Sequence, residues 1–166
     1  MAEITLKGVP LHTSGDLPPV GAKLPVFKLT GKDLADKTLA DYAGKRLVLN
    51  IFPSLDTTTC AMSVRRFNAE ATKLTNTVVL CISRDLPFAQ ARFCGAEGLD
   101  NVVTLSEFRD LGFGKSYGLE ITDSPMASLL ARAVLVADET GKIIYRQLVP
   151  EISTEPDYQA AIDSLK

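Results

Sequence analysis

Four stretches, RLVLNIFP (46–53), NTVVLCIS (76–83), NVVTLS (101–106) and ARAVLVAD (131–138), are mostly near-continuous apolar runs. Such runs are the pattern of strands covered on both faces, and a sheet covered on both faces needs helices. The segments between the early runs supply them. From Thr58 to Leu74 the residues Cys60, Val64, Phe67, Ala71 and Leu74 recur at spacings of 4, 3, 4 and 3, which draws one apolar stripe with Cys60 in the first turn. PFAQARFCGAEG (87–98) opens on Pro87 and closes on Gly95 and Gly98, so Cys94 falls in the last turn or at a fraying end.

The flanks complete the architecture. ITLKG and VPLHT, pivoting at Gly8, form an N-terminal hairpin that looks like an addition before the main fold; a Pro/Gly-rich connector then leads to the short strand VFKLT. EFRDLGFGKSYG is a helix broken by Gly112 and Gly114, ARAVLVADETGKIIYRQLV is a hairpin turning at ETGK, and PDYQAAIDSLK is a closing helix beginning at Pro156. The expected fold is α/β: a central mixed sheet flanked by helices, compatible with a thioredoxin-like fold, with an N-terminal β-hairpin extension. At 166 residues and 46% hydrophobic, the chain can bury a core without disulfides or a structural metal, so one domain over 1–166 is expected, with 1–19 as hairpin and connector.

Charge removes several functions. The net charge is −2 and the densest basic run is the pair Arg65 and Arg66, which argues against a nucleic-acid or anionic-membrane surface. The N-terminus has no basic start leading into an apolar core, and no apolar run approaches the ~18 residues of a membrane span, so a cytoplasmic protein is expected. Three cysteines, Cys60, Cys81 and Cys94, are too few and too odd in number for a secreted disulfide scaffold. No two have C-x-x-C spacing and His12 is the only histidine, which leaves no expected metal site and no nearby imidazole to act as base.

By position alone Cys60 is either a buried helix-start residue of no consequence or the residue with chemistry in reach. A strand that ends in Pro53, a short loop, and a cysteine in a helical first turn place sulfur beside backbone N–H groups without intrahelical partners. Those groups and the helix dipole favour an anion, and a neighbouring arginine favours it further. Thr57, three residues before Cys60, can cap the helix while its hydroxyl serves sulfur or a bound oxygen. Arg132 stands at the head of an apolar strand, where it is either an exposed strand end or a buried guanidinium in need of a partner such as a thiolate. Pro53 is either a simple strand stop or a shield over the sulfur.

Pro53, Thr57 and Cys60 together fill P-x-x-x-T/S-x-x-C, and the chain resembles the peroxiredoxins. NIFPSLDTTTC, CISRDLPFAQARFCGAEGLDNVVTL, ARAVLVAD and TEPDY are similar to the bacterial thiol peroxidase branch, the atypical two-cysteine kind. The resemblance runs over essentially the whole chain; the TTT before Cys60 departs from the more familiar T-G-V triplet and leaves the motif positions filled. It implies a thioredoxin fold, Cys60 as peroxidatic cysteine, Thr57 and Arg132 as its activating neighbours, Cys94 as resolving cysteine in a Cys60–Cys94 disulfide, no cofactor, thioredoxin as reductant, and a homodimer.

On that reading Cys60 attacks a hydroperoxide and becomes a sulfenic acid, which condenses with a second thiol or over-oxidises. Cys81, in mid-strand, reads as packed core, whereas Cys94 at a glycine-terminated helix end can move. Phe52, Leu55, Phe88, Met126 and Leu129, with Met62, Phe93 and Leu130, are candidates to line an apolar pocket for organic hydroperoxides, although such residues are more often core. Two alternatives stay open: a peroxiredoxin of another branch with a different resolving thiol, and a redox sensor that uses its disulfide as a shape switch.

Overall fold

The computed structural model describes residues 1–166. β1 (Glu3–Leu6) and β2 (Val9–His12) form a two-stranded antiparallel hairpin. Lys7 and Gly8 at its tip have φ of +49° and +80°, the left-handed geometry for which glycine is suited. After the connector come β3 (Lys28–Gly31) and the short β4 (Asp36–Thr38), a 3-10 turn at Leu39–Tyr42, and β5 (Arg46–Ile51). Then follow α1 (Thr58–Ala71), β6 (Thr77–Ser83), α2 (Pro87–Glu97), β7 (Val103–Ser106), α3 (Gly112–Ser116), β8 (Ala133–Ala137), β9 (Ile143–Leu148) and α4 (Tyr158–Asp163).

The main sheet has seven strands in the order β4-β3-β7-β6-β5-β8-β9. The pairs β5/β6 and β6/β7 are parallel and the others antiparallel, so the sheet is mixed, as expected. Parallel neighbours need crossovers, and α1 and α2 provide them. In the β5/β8 register Ile51 faces Ala133 and Leu49 faces Leu135.

The pleat divides the core in two. Leu47, Leu49, Ile51, Ala133, Leu135 and Ala137 turn to one face and pack with Phe113 of α3 and with Ile4 and Leu11 of the hairpin. Val48, Val79, Cys81, Val134 and Val136 turn to the other, where Cys60, Val64 and Phe67 of α1 and Tyr158, Ala161 and Ile162 of α4 cover them. Phe67 is fully buried, with its ring 5.2 Å from that of Tyr158 and nearly perpendicular to it; its burial contributes about 2–3 kcal/mol.

The helical stripe is therefore where its spacing put it: Cys60, Val64 and Phe67 are buried, and Ala71 and Leu74 pack partly against the same cluster. The hairpin differs from expectation. It is a separate sheet, yet Ile4 and Leu11 belong to the core, and Thr5 pairs with Glu151 far along the chain. No helix is long and apolar enough to cross a membrane.

Candidate active site

β5 ends at Ile51, and the buried Pro53, which has no N–H to offer, follows one residue after the last ladder bond, from Phe52 N to Ile82 O. The loop is then held from across the sheet. Asp85, beyond the end of β6, accepts from Ser54 Oγ and from Leu55 N, both at 2.8 Å, and from Ser83 Oγ at 2.6 Å. Thr57 is extended, with φ −100° and ψ 145°, and its hydroxyl accepts from Cys60 N at 3.4 Å while donating to Ser54 O at 3.1 Å. That is an N-cap, and it fixes where the first turn of α1 begins.

The cap delivers the Cys60 sulfur into the protein with no exposed surface. Arg132, one residue before β8 and 1% exposed, donates from Nη2 to Cys60 Sγ at 3.3 Å. Its Nε donates to Ile152 O at 2.8 Å, while its buried Nη1 has no partner. Burying a guanidinium with one empty donor is costly, and the arrangement leaves that donor for an oxygen or anion arriving beside the sulfur. Of the two readings of Arg132, the exposed strand end is excluded.

Two further contacts steady the first turn. Thr59 Oγ1 donates to Ser153 O at 3.1 Å, and Ser63 Oγ donates to Cys60 O at 2.7 Å while accepting from Asn50 Nδ2 at 3.1 Å. Asn50 lies in β5, so a buried polar chain links the sheet to the cysteine backbone.

The other two thiols occupy contrasting places. Cys81 is fully buried in β6, and burial pushes its thiol up to about 12. Cys94 is half-buried in the last turn of α2, and its carbonyl accepts from the N–H of Gly98, whose φ of +66° ends the helix, and from Leu99 N at 2.9 Å. Burial pushes the Cys94 thiol up, with Lys32 pulling the other way. Its side chain borders a groove of about 540 Å³ shared with Gly31, Lys32, Lys37 and Gly95. All three cysteines are free thiols.

The proposed apolar lining is dispersed. Phe52 and Leu55 are buried in the cluster that contains Cys60, and Phe93 packs against it. Leu130 is buried in the opposite cluster, with Met126 and Leu129 packed on that cluster. Phe88 and Met62 are exposed. Asp85, Ser153 and Asn50 were not anticipated. Asp85, two residues before a helix-starting proline, carried only a weak local signal.

A mixed sheet with a cysteine capped into the first turn of the helix after an apolar strand, facing a buried arginine, defines a thioredoxin-fold protein with a cysteine-centred site. The Redoxin family model matches residues 19–162. A thiol peroxidase of Corynebacterium glutamicum is 53% identical over 165 residues, covering 99% of each chain. The crystal structure of a peroxiredoxin-like protein from Aquifex aeolicus superposes with a TM-score of 0.93 at 36% identity, over 99% of this chain and 96% of that one. The thiol peroxidase from Chromobacterium violaceum, at 23% identity, shares the fold with a TM-score of 0.90 over 97% and 93%. The chain belongs to the Redoxin family, in the bacterial thiol peroxidase branch of the peroxiredoxins, and is a thiol-dependent peroxidase. Membership implies a peroxide substrate and a thiol reductant.

Proposed function

We propose that Cys60 is the peroxidatic cysteine and Cys94 the resolving one, with Thr57, Arg132 and Pro53 completing the site. The observation that carries this reading is the contact of Arg132 Nη2 with Cys60 Sγ at 3.3 Å beside the unpartnered Nη1. In the first step the Cys60 thiolate attacks one oxygen of the hydroperoxide. An S–O bond forms, the O–O bond breaks, and the other oxygen leaves as an alcohol or water after taking a proton. Arg132, with its unpartnered Nη1, serves the oxygen on which negative charge develops, and the Cys60 N–H and Thr57 hydroxyl, which in the resting protein bond Thr57 Oγ1 and Ser54 O, are the further donors assigned to it. Pro53 keeps water from the sulfur.

In the second step Cys94 attacks the Cys60 sulfenic acid and water leaves. A disulfide needs the two α-carbons within roughly 7 Å, and Cys60 is enclosed, so the first turn of α1 and the last turn of α2 both unwind. A dithiol protein of the thioredoxin type then returns two electrons through exchange at the disulfide. Organic hydroperoxides are the preferred substrates, the apolar residues beside Cys60 supporting this, and the working unit is a homodimer.

The test is hydroperoxide consumption with thioredoxin, thioredoxin reductase and NADPH. Wild type turns over repeatedly, Cys60→Ser does nothing, and Cys94→Ser reacts once and stops. A Cys60–Cys81 or intermolecular bond in peptide maps of oxidised protein would overturn the assignment of Cys94. A higher kcat/KM for hydrogen peroxide than for cumene hydroperoxide would overturn the substrate preference.

A further inference from the structure

The segment 150–154 touches the site twice, through Ile152 O on Arg132 Nε and through Ser153 O on Thr59 Oγ1. Both acceptors are backbone carbonyls of an irregular segment, whose position depends on what holds it. The hairpin holds it. Thr5 N donates to Pro150 O at 2.8 Å and Ile152 N to Thr5 O at 2.9 Å, so β1 pairs with this segment as a strand would. The carboxylate of Glu151 then closes the joint: Oε1 accepts from Gly8 N at 2.9 Å and Thr5 Oγ1 at 3.0 Å, and Oε2 accepts from Ser153 N at 3.0 Å and Ser153 Oγ at 2.6 Å. Four donors on one carboxylate bind the hairpin tip to the residues on either side of Ile152 O.

We propose that Glu151 is a positioning residue for the peroxidatic centre, using the N-terminal hairpin to hold Ile152 O and Ser153 O where they aim Arg132 at Cys60 and anchor Thr59 in the first turn of α1. This rests on the reading that Arg132 activates Cys60. Arg132 has one fixed donor, Nε, and one directed at sulfur, Nη2. A guanidinium is planar and rigid, so a shift of its anchor moves Nη2 with it. The Ser153 hydroxyl and N–H, with the Gly8 N–H, hold the Glu151 carboxyl down at about 2, so it stays ionised through the working range and adds no titration of its own to a rate profile.

The test is the second-order rate constant for single-turnover oxidation of the reduced full-length protein by cumene hydroperoxide, measured across pH. Variants are Glu151→Ala, Glu151→Gln, Arg132→Ala and the double variant Glu151→Ala/Arg132→Ala. Glu151→Ala lowers the rate constant about five- to fiftyfold and moves the midpoint of the profile upward, and Glu151→Gln falls between it and wild type. In the Arg132→Ala background the same change costs less than about twofold, because the group it positions is gone. Equal factors in both backgrounds would make Glu151 merely structural and overturn the inference. So would an unchanged rate in Glu151→Ala while Arg132→Ala is slow, which leaves the role of Arg132 intact. An unchanged rate in Arg132→Ala removes both. If Glu151→Ala does not fold, Glu151→Gln and Ser153→Ala, taken through the same pair of backgrounds, decide the matter.

Discussion

Arg65 of α1 and Glu97 of α2 form a two-pronged ion pair across the gap between the helices that carry Cys60 and Cys94, with Nη2 donating to Oε1 at 2.6 Å and Nε donating to Oε2. The Arg65 guanidinium also lies over the Phe93 ring, 5.7 Å from its centre, and holds the Glu97 carboxyl below the usual carboxylate range. The pair clasps the last turn of α2, where Cys94 sits, against α1. If Cys94 resolves Cys60 as proposed above, Glu97→Gln should ease the unwinding of that turn and speed Cys60–Cys94 bond formation after peroxide addition by about two- to fourfold, the size appropriate to a surface pair. Stopped-flow fluorescence or quenched alkylation checks this. A wild-type rate that rises with salt while that of Glu97→Gln stays flat would support the same cause.

Cys81 and Cys94 should separate in alkylation of the reduced, folded protein. Cys81, buried and pushed up to about 12, stays protonated at pH 8 and should remain unmodified by iodoacetamide. Cys94 should react, more slowly than a free thiol, because burial raises its pKa. Mass mapping of time points reads both, and denaturant should abolish the difference.

His12 gives the hairpin a pH dependence of defined sign. Its Nδ1 meets Asp123 Oδ2 at 2.6 Å and its Nε2 meets Glu3 Oε2 at 3.4 Å, and the Asp123 hydrogen bond raises its pKa above the ordinary 6.5. Because the folded value is the higher one, this contribution is fully present below pH 6.5 and lost as pH rises through the folded pKa. Thermal melts of wild type minus His12→Asn should show a difference at pH 6 that shrinks by pH 9. A difference that grows toward pH 9 would contradict the assignment.

Gly118 is a position where glycine is required twice over. Its φ is +69°, and a Cβ there would clash with Asp16 O and lie 2.7 Å from Asp16 N, both backbone atoms of the connector. Gly118→Ala should cost about 2–4 kcal/mol, since strain and overpacking add. Urea denaturation measures the loss.

The main strands and the helical stripe were legible because each rests on a local pattern: an apolar run, a 4-3 spacing, a proline at a helix start. Strand β4 was not. DKT has no apolar alternation, and its pairing with β3 is set by the tight approach of two short segments. The place of the cysteine in a helical first turn and its threonine cap were legible from local spacing, whereas the role assigned to the thiol came from the resemblance. The burial of Arg132 was ambiguous until its partner, 72 residues away, was in view. Asp85, Ile152 and Ser153 left little trace, because what they contribute is a carboxylate across the sheet or a backbone carbonyl, which any side chain can accompany.

The β5/β8 register has one last consequence. Ala133 pairs with Ile51, and along β8 the even-numbered Val134 and Val136 face the cluster that contains Cys60, while Ala133, Leu135 and Ala137 face away. Arg132, immediately before Ala133, shares the even-numbered parity. Deleting or inserting one residue between Arg132 and Val134 would invert that parity and turn the guanidinium away from the sulfur, with the apolar pattern scarcely disturbed. The contact between guanidinium and thiol is thus tied to an odd-or-even count along one strand, and the hydrophobic alternation that keeps the sheet in register also keeps the arginine on the side of the sulfur.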